Sequence, residues 1–171
     1  MAQESGEFEF CLPEMSNRAT LKFRTTQQYI HAIWSQEGKD KKGIYLSSSS
    51  DQGKNFTAPK KIIDTEGDVK ETQIIAKDDY FVVTVLENVT GSLKLRAVTG
   101  IVNSDMTYQI KPCERVDIDG EIINAYTVFT DDASVDHIYV ILEIIERDGR
   151  ICFRLKRVEQ IHCSRLVLRK S

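Results

Sequence analysis

The sequence predicts an all-β protein built as three units of four antiparallel strands. Three observations support this prediction. Apolar and polar residues alternate with a period of two along much of the chain, runs rich in β-branched and aromatic residues recur about every 50 residues, and no amphipathic helix is evident. The chain has 171 residues, of which 41% are hydrophobic and 29% charged, the composition of an ordinary globular domain.

The alternating segments indicate strands with one face on a core and one face in water. Leu21 and Phe23 alternate with Lys22 and Arg24, and the same pattern occurs at 92–98 and 150–157. Three denser runs predict central strands covered on both faces. These runs are Tyr29–Trp34, Tyr80–Leu86 and His137–Ile145.

Each dense run has one candidate strand before it and two after it, which divides the chain into similar units. The units span about 19–64, 72–113 and 122–168, and an extra strand is predicted at Glu7–Leu12. Since no linker-like stretch separates them, we expect residues 1–171 to form one domain. The other candidate strands are Ala19–Arg24, Gly43–Ser49, Pro59–Asp64, Thr72–Ala76, Ser92–Val98, Tyr108–Cys113, Ile122–Phe129, Arg150–Arg157 and Cys163–Leu168.

One turn of the first unit carries a sharp motif. Ser49, Asp51, Gly53 and Phe56 fit the pattern S-x-D-x-G-x-x-F. This segment resembles the Asp box of the BNR-repeat, sialidase-like β-propeller family, and the resemblance is strongest over residues 29–64. In that family the box joins the third and fourth strands of a blade, where our strand prediction also places it.

The residue types of the box predict a structural role for it. An aspartate at position 51 can accept hydrogen bonds from the N–H groups of its own turn. Gly53 permits a backbone conformation that a Cβ would oppose, and Phe56 can fold back to bury its ring. Ser49 can satisfy a further local polar group. The second unit keeps only an acidic and an aromatic residue at the equivalent place, Asp105 and Tyr108.

Four strands in about 50 residues is the size of a propeller blade. Three blades would be half of a six-bladed ring and would leave two open sheet faces. We therefore expect a homo-oligomer in which two chains complete the ring or otherwise cover those faces. A β-trefoil is the main alternative, since it has the same strand count and closes as a monomer, and other barrels or sandwiches also fit.

The resemblance to sialidases also suggests where an active site would lie. That family binds a substrate carboxylate with three arginines and uses a Tyr/Glu nucleophile pair. Arg24, Arg96 and Arg154 are the candidates here, although their positions also fit the polar faces of alternating strands. Tyr126 or Tyr139 with Glu143 could form the pair, but the spacing does not require it.

Composition and motifs exclude several other classes of function. The formal net charge of −3 offers no basic surface for nucleic acid, and no apolar segment is long enough to span a membrane. No nucleotide-binding motif, metal-ligand spacing or cofactor motif occurs, so we expect no cofactor. The four cysteines have neither zinc nor redox spacing and are predicted to be reduced interior residues. The first residues lack a secretory signal, which favours the cytoplasm over secretion.

These observations favour a non-catalytic interaction module that binds a protein or a glycan through the loop faces of a propeller. A glycoside hydrolase of sialidase type and a lectin-like β-trefoil are the alternatives.

Overall fold

A computed structural model describes residues 9–113, 121–130 and 137–158. All regular elements in these ranges are β-strands, so the described part contains no helix that could span a membrane. The strands form three antiparallel sheets of four, four and three strands. The prediction of an all-β protein is therefore confirmed.

Within each sheet the strands follow one another as a simple meander, because neighbours in the chain are also neighbours in the sheet. The first sheet contains β1 (Ser16–Thr25), β2 (Ile30–Gln36), β3 (Gly43–Ser49) and β4 (Lys60–Ile63). The second contains β5 (Asp68–Lys77), β6 (Tyr80–Val89), β7 (Ser92–Val102) and β8 (Tyr108–Cys113). The third contains β9 (Glu121–Thr130), β10 (His137–Ile145) and β11 (Ile151–Val158).

All eleven strands correspond to predicted ones. Strand β1 begins earlier than expected, because Ser16 and Asn17 also pair with β2, beyond a register shift between Asn17 and Lys22. The predicted strand Cys163–Leu168 lies outside the described residues. The predicted strand at Glu7–Leu12 is wrong in its described part, since residues 9–12 belong to no strand.

The described apolar core lies between the first and second sheets. Ile33 and Leu46 of the first sheet and Phe81 and Val83 of the second have no exposed surface. Their burial supplies the main favourable term for holding the two sheets together. The full cluster contains Tyr29, Ile33, Ile44, Leu46, Ile62, Ile63, Ile74, Ala76, Phe81, Val83, Val85, Val98 and Val102.

The second sheet packs on the first, and the third sheet packs on the second in a similar way. Strand β1 contacts β5 and β5 contacts β9, so the first strands of successive sheets lie side by side. The second strand of each earlier sheet also contacts the first strand of the next, as β2 does with β5 and β6 with β9. The outer strands β4 and β8 also touch. At the first junction the Thr72 hydroxyl donates to the Thr20 carbonyl over 2.7 Å.

The N-terminal segment, residues 9–15, lies against the outer face of the first sheet. The ring of Phe10 is centred 5.6 Å from Phe23, 5.6 Å from Trp34 and 4.8 Å from Phe56. Trp34 is only 1% exposed as a result of these and neighbouring contacts. The segment therefore covers part of the outer face of the first sheet, where Trp34 is buried and Phe23 remains 50% exposed. The aromatic alternation around Phe10 reflects this packing and not an additional strand.

The meanders divide the turns between two ends of the molecule. The β1–β2, β3–β4, β5–β6 and β7–β8 turns lie at one end, which we call the box end. The β2–β3, β4–β5, β6–β7 and β10–β11 connections lie at the other, which we call the cleft end.

Candidate functional site

Residues 49–56, which we call the box, lie at the connection between β3 and β4, where the strand prediction places them. The Ser49 hydroxyl donates to Asp51 Oδ1 over 2.7 Å and accepts the Gly53 N–H over 2.9 Å. Asp51 Oδ1 also accepts the Asn55 N–H over 2.9 Å, and Asp51 Oδ2 accepts the Asn55 side-chain amide over 2.7 Å. The two side chains therefore close the loop from inside, with Asp51 as its main acceptor.

The backbone conformation of this loop explains why a glycine occupies position 53. Gln52 and Gly53 both adopt positive φ angles, 62° and 90°, which reverse the chain within two residues. Gly53 is buried, and glycine adopts such angles without the steric cost that a Cβ brings.

Asp51 is held as a carboxylate. Its hydrogen bonds to Asn55 and Ser49 lower its pKa from 3.8 to about 2. At neutral pH it has no proton to donate, and its two oxygens already accept three donors. Its geometry is that of a structural turn residue.

Phe56 anchors the loop in a way that the sequence did not indicate. Its half-buried ring packs on Phe10 of the N-terminal segment. The adjacent Thr57 connects the box to the second sheet, because its hydroxyl oxygen lies 2.7 Å from the Tyr108 hydroxyl. Burial raises the pKa of Tyr108, an effect that its hydrogen bonds to Ser48 and Thr57 oppose.

The equivalent turn of the second unit is shorter but keeps its aspartate as an acceptor. Asp105 Oδ1 accepts the Thr107 N–H over 3.0 Å and the Thr107 hydroxyl over 2.6 Å. These bonds lower the pKa of Asp105. Met106, with φ of 64°, takes the left-handed position. The third unit's equivalent lies outside the described residues.

The three candidate arginines occupy three different sheets. Arg24 is exposed on β1, and Arg154 lies on β11, where it opposes Leu142. Arg96 on β7 donates to the Asp64 carbonyl and lies 3.4 Å from Glu87 Oε1. The Arg96 guanidinium is therefore already engaged within the chain.

Glu87 is the partner that explains this arrangement. It has no exposed surface, and its Oε2 accepts the N–H groups of Glu66 and Gly67 over 2.8 and 3.0 Å. Together Glu87 and Arg96 fix the connection from β4 to β5. The only sign of this structural role in the sequence is the position of Glu87, a charged residue directly after the apolar run Tyr80–Leu86.

The Tyr/Glu candidates lie in the third sheet. Tyr126 opposes Ile141 and Tyr139 opposes Val128 in the β9–β10 register. Half-buried Glu143 opposes Asn124, so the register pairs neither tyrosine directly with it.

A polar cleft of about 330 Å³ opens at the cleft end, between the first and second sheets. Its volume is at the lower end of the range for ligand-binding sites. Its charged lining residues are exposed Glu37, Lys39 and Asp68 and half-buried Lys42. The Lys42 ammonium donates to the Glu66 carbonyl over 3.4 Å. The buried hydroxyl oxygen of Thr65 has no hydrogen-bond partner. The cleft is lined by Ser35, Gln36, Glu37, Gly38, Lys39, Lys42, Thr65, Gly67, Asp68 and Val69.

His31 forms a second polar feature, buried between the first two sheets. Its Nδ1 lies 2.8 Å from Ser48 Oγ, while its buried Nε2 has no partner. The rings of Tyr29 and Phe81 are centred 5.8 and 5.9 Å away. Burial lowers the pKa of His31 from 6.5 to about 4, so the ring is neutral at physiological pH. Because His31 has no exposed surface, the Ser48–His31 pair cannot reach a substrate.

Metal ligands and reactive thiols do not form clusters in the described ranges. No group of three or more His, Cys, Asp or Glu side chains suited to a metal occurs there. Cys152 is half-buried and free, but Cys11 is exposed, so its predicted place in the interior is wrong. The Cys11 thiol donates to Glu9 over 3.3 Å, and this carboxylate raises its pKa.

Comparison of the chain with models of protein families, with curated proteins and with solved structures finds no match.

Proposed function

We propose that this protein is a non-catalytic interaction module with a sialidase-like propeller architecture. In this proposal the loops at the cleft end bind a protein or a glycan, and the Asp box stabilises the opposite end. The single observation that carries the proposal is the polar cleft, which lies between the first and second sheets and away from the box.

The order and stacking of the strands support the propeller. Three successive meanders, each with its first strand beside the first strand of the next, match blades arranged around an axis. The box joins the third and fourth strands of the first sheet, its position in a blade of the family it resembles. A β-trefoil receives less support, because the described strands form three separate sheets and not one barrel.

The engagement of Arg96 supports a non-catalytic role. A sialidase-type site needs guanidinium groups free to bind a carboxylate from solution. Arg96 is instead bound to the buried carboxylate of Glu87 and to a main-chain carbonyl. Releasing it would leave that carboxylate buried without its charge partner.

The cleft combines features typical of a recognition site. Its rim carries two lysines and two carboxylates, so hydrogen-bond donors and acceptors face a bound ligand from several sides. Elements of two sheets form its walls, and Glu87 fixes one of them through the N–H groups of Glu66 and Gly67. Little ordering of the protein would then accompany binding, which favours affinity.

The proposal is tested with a glycan array and a peptide display library, each probed with labelled protein. We expect binding to members of one of these two classes, weakened at least tenfold by Lys39→Glu or Asp68→Lys. Lys54→Glu in the box loop is the matched control and should leave binding unchanged. Loss of binding in the Lys54 variant alone, or no binding to either collection, would contradict the proposal.

The second measurement is hydrolysis of a fluorogenic sialoside. We expect no turnover above the rate without protein. Turnover that disappears in Arg24→Gln would support the hydrolase and overturn the non-catalytic assignment.

A further inference from the structure

We propose that the N-terminal segment, residues 9–15, is a removable cap, and that it competes with a second copy of this chain for the outer face of the first sheet. The inference rests on the propeller architecture proposed above. When the cap leaves, the third sheet of each copy packs on the first sheet of the other, and two chains form one ring of six sheets.

The cap is held to the first sheet without strand pairing. Residues 9–13 form no strand, and two main-chain hydrogen bonds fasten the end of the segment. The Ser16 N–H donates to the Pro13 carbonyl over 3.1 Å, and the Glu37 N–H donates to the Met15 carbonyl over 3.0 Å. Before them, the ring of Phe10 packs on the rings of Phe23, Trp34 and Phe56, and Leu12 is half-buried. A segment that lacks strand pairing opens more readily than a paired strand.

The surface beneath the cap is aromatic. Trp34 stacks on Tyr45 with ring centroids 6.1 Å apart, and Phe10 contacts Trp34 and Phe23 on the same face. Phe23 remains 50% exposed even with the cap in place. Removal of the Phe10 ring would uncover a contiguous aromatic surface, which is typical of protein interfaces.

The stacking of the three sheets identifies a second copy of the chain as the occupant of this face. The second sheet packs on the first and the third on the second with the same strand relation, first strand beside first strand. Another step of this stacking would place the first sheet of a second copy against the third sheet of this one. The outer face of the third sheet carries Ile151, which is 59% exposed and opposes Ile145 in register. Buried Ile144 lies on the other face, since neighbouring side chains in a strand alternate.

A two-fold axis makes this arrangement self-limiting. Each chain offers its first sheet to the third sheet of its partner, so two identical interfaces close the ring. No face is then left for a third chain, and the expected product is a dimer.

Sedimentation velocity over a range of protein concentrations tests the inference. Phe10→Ser removes the ring that anchors the cap, and we expect it to dimerise at a concentration at least tenfold lower than the unmodified chain. A sedimentation profile equal to that of the unmodified chain would overturn the inference. Far-UV circular dichroism and the urea midpoint establish that the variant is folded.

Second substitutions in the Phe10→Ser background test which faces meet. Ile151→Lys and Phe23→Lys, one on each proposed contact face, should each restore the monomer. Ile101→Lys is the matched control, since Ile101 is 37% exposed on the second sheet and belongs to neither face. A dimer that persists in both lysine variants would show that other surfaces associate.

Competition in trans does not depend on the folding of one variant. A synthetic peptide with the sequence of residues 7–15 should dissociate the Phe10→Ser dimer, whereas the same peptide with serine at position 10 should not. Dissociation by neither peptide would overturn the competition. These results are independent of the array, so failure of the cap and failure of cleft recognition are distinguishable.

Discussion

Removal of the Glu87 carboxylate should destabilise the protein more than any other single change of a charged side chain in its described part. Glu87 is fully buried and accepts the N–H groups of Glu66 and Gly67. It also balances the charge of Arg96, whose side chain is 27% exposed. Glu87→Ala would leave two main-chain donors without their acceptor at the junction of the first two sheets, and Arg96 would keep the Asp64 carbonyl but lose its charge partner.

The magnitude follows from these contacts. Hydrogen bonds to a charged group contribute about 1.5–3 kcal/mol each, and removal of one partner from a buried charge pair costs about 3–5 kcal/mol. The contacts are not additive, so we expect Glu87→Ala to lower the free energy of unfolding by about 3–5 kcal/mol. For a chain of this length each kcal/mol lowers Tm by about 2–4 °C, which gives a decrease of about 6–20 °C. Glu87→Gln keeps one oxygen acceptor but loses the charge, and should lose about 1–3 kcal/mol.

Urea denaturation followed by circular dichroism measures the effect. The control is Glu66→Ala, which keeps the main-chain N–H that Glu87 binds and removes only an exposed side chain. It should change stability by less than about 0.5 kcal/mol. If Glu87→Ala were as stable as this control, the carboxylate would not hold the β4–β5 connection and our account of Arg96 would be wrong.

Three further predictions concern the box, the buried histidine and a tight strand contact. Asp51→Ala should lower Tm at neutral pH, and its difference from the unmodified chain should shrink as pH falls from 3.8 toward about 2, because protonation removes the same acceptor. Because the pKa of His31 is lowered from 6.5 to about 4, unfolding takes up a proton between these pH values. The free energy of unfolding should therefore be undiminished above pH 6.5 and fall by about 3 kcal/mol between pH 6.5 and 4. Denaturation of His31→Asn across this range should lack that decrease, and an equal decrease would contradict the assignment. Gly100→Ala should lower stability by about 1–3 kcal/mol, because its Cβ would lie 2.3 Å from the Phe81 ring; an unchanged urea midpoint would contradict this.

The strands could be predicted from the sequence because their signals are local. The apolar run Tyr80–Leu86 predicts a strand buried on both faces, and the alternation at 92–98 predicts a strand with one face in water. Strands β6 and β7 include these residues. The box was also predictable, since Ser49, Asp51 and Gly53 interact within a few residues of chain.

The cap and the cleft could not be predicted in the same way. The alternation around Phe10 is typical of a strand, and only the presence of Trp34 and Phe56 beside it shows that the ring covers a sheet face. The cleft brings Lys39 to Asp68 across two connections, and no pattern in either segment refers to the other. Residues that meet through the packing of sheets leave no periodicity in the sequence.

The division of the molecule into two ends separates the sharpest motif of the sequence from the cleft that we propose as the binding site. Antiparallel meanders send alternate turns to opposite ends, so a turn that closes the third strand onto the fourth cannot share an end with the link to the next sheet. The box end is occupied by self-contained hydrogen bonds, such as those from Asn55 to Asp51. The cleft end carries charged side chains, and its β4–β5 connection is held by hydrogen bonds to Glu87. Substitutions at exposed box residues should therefore change stability and leave binding alone, whereas exposed cleft residues should do the reverse. A ligand whose affinity followed Tm in both sets of variants would show that the two ends are not separate.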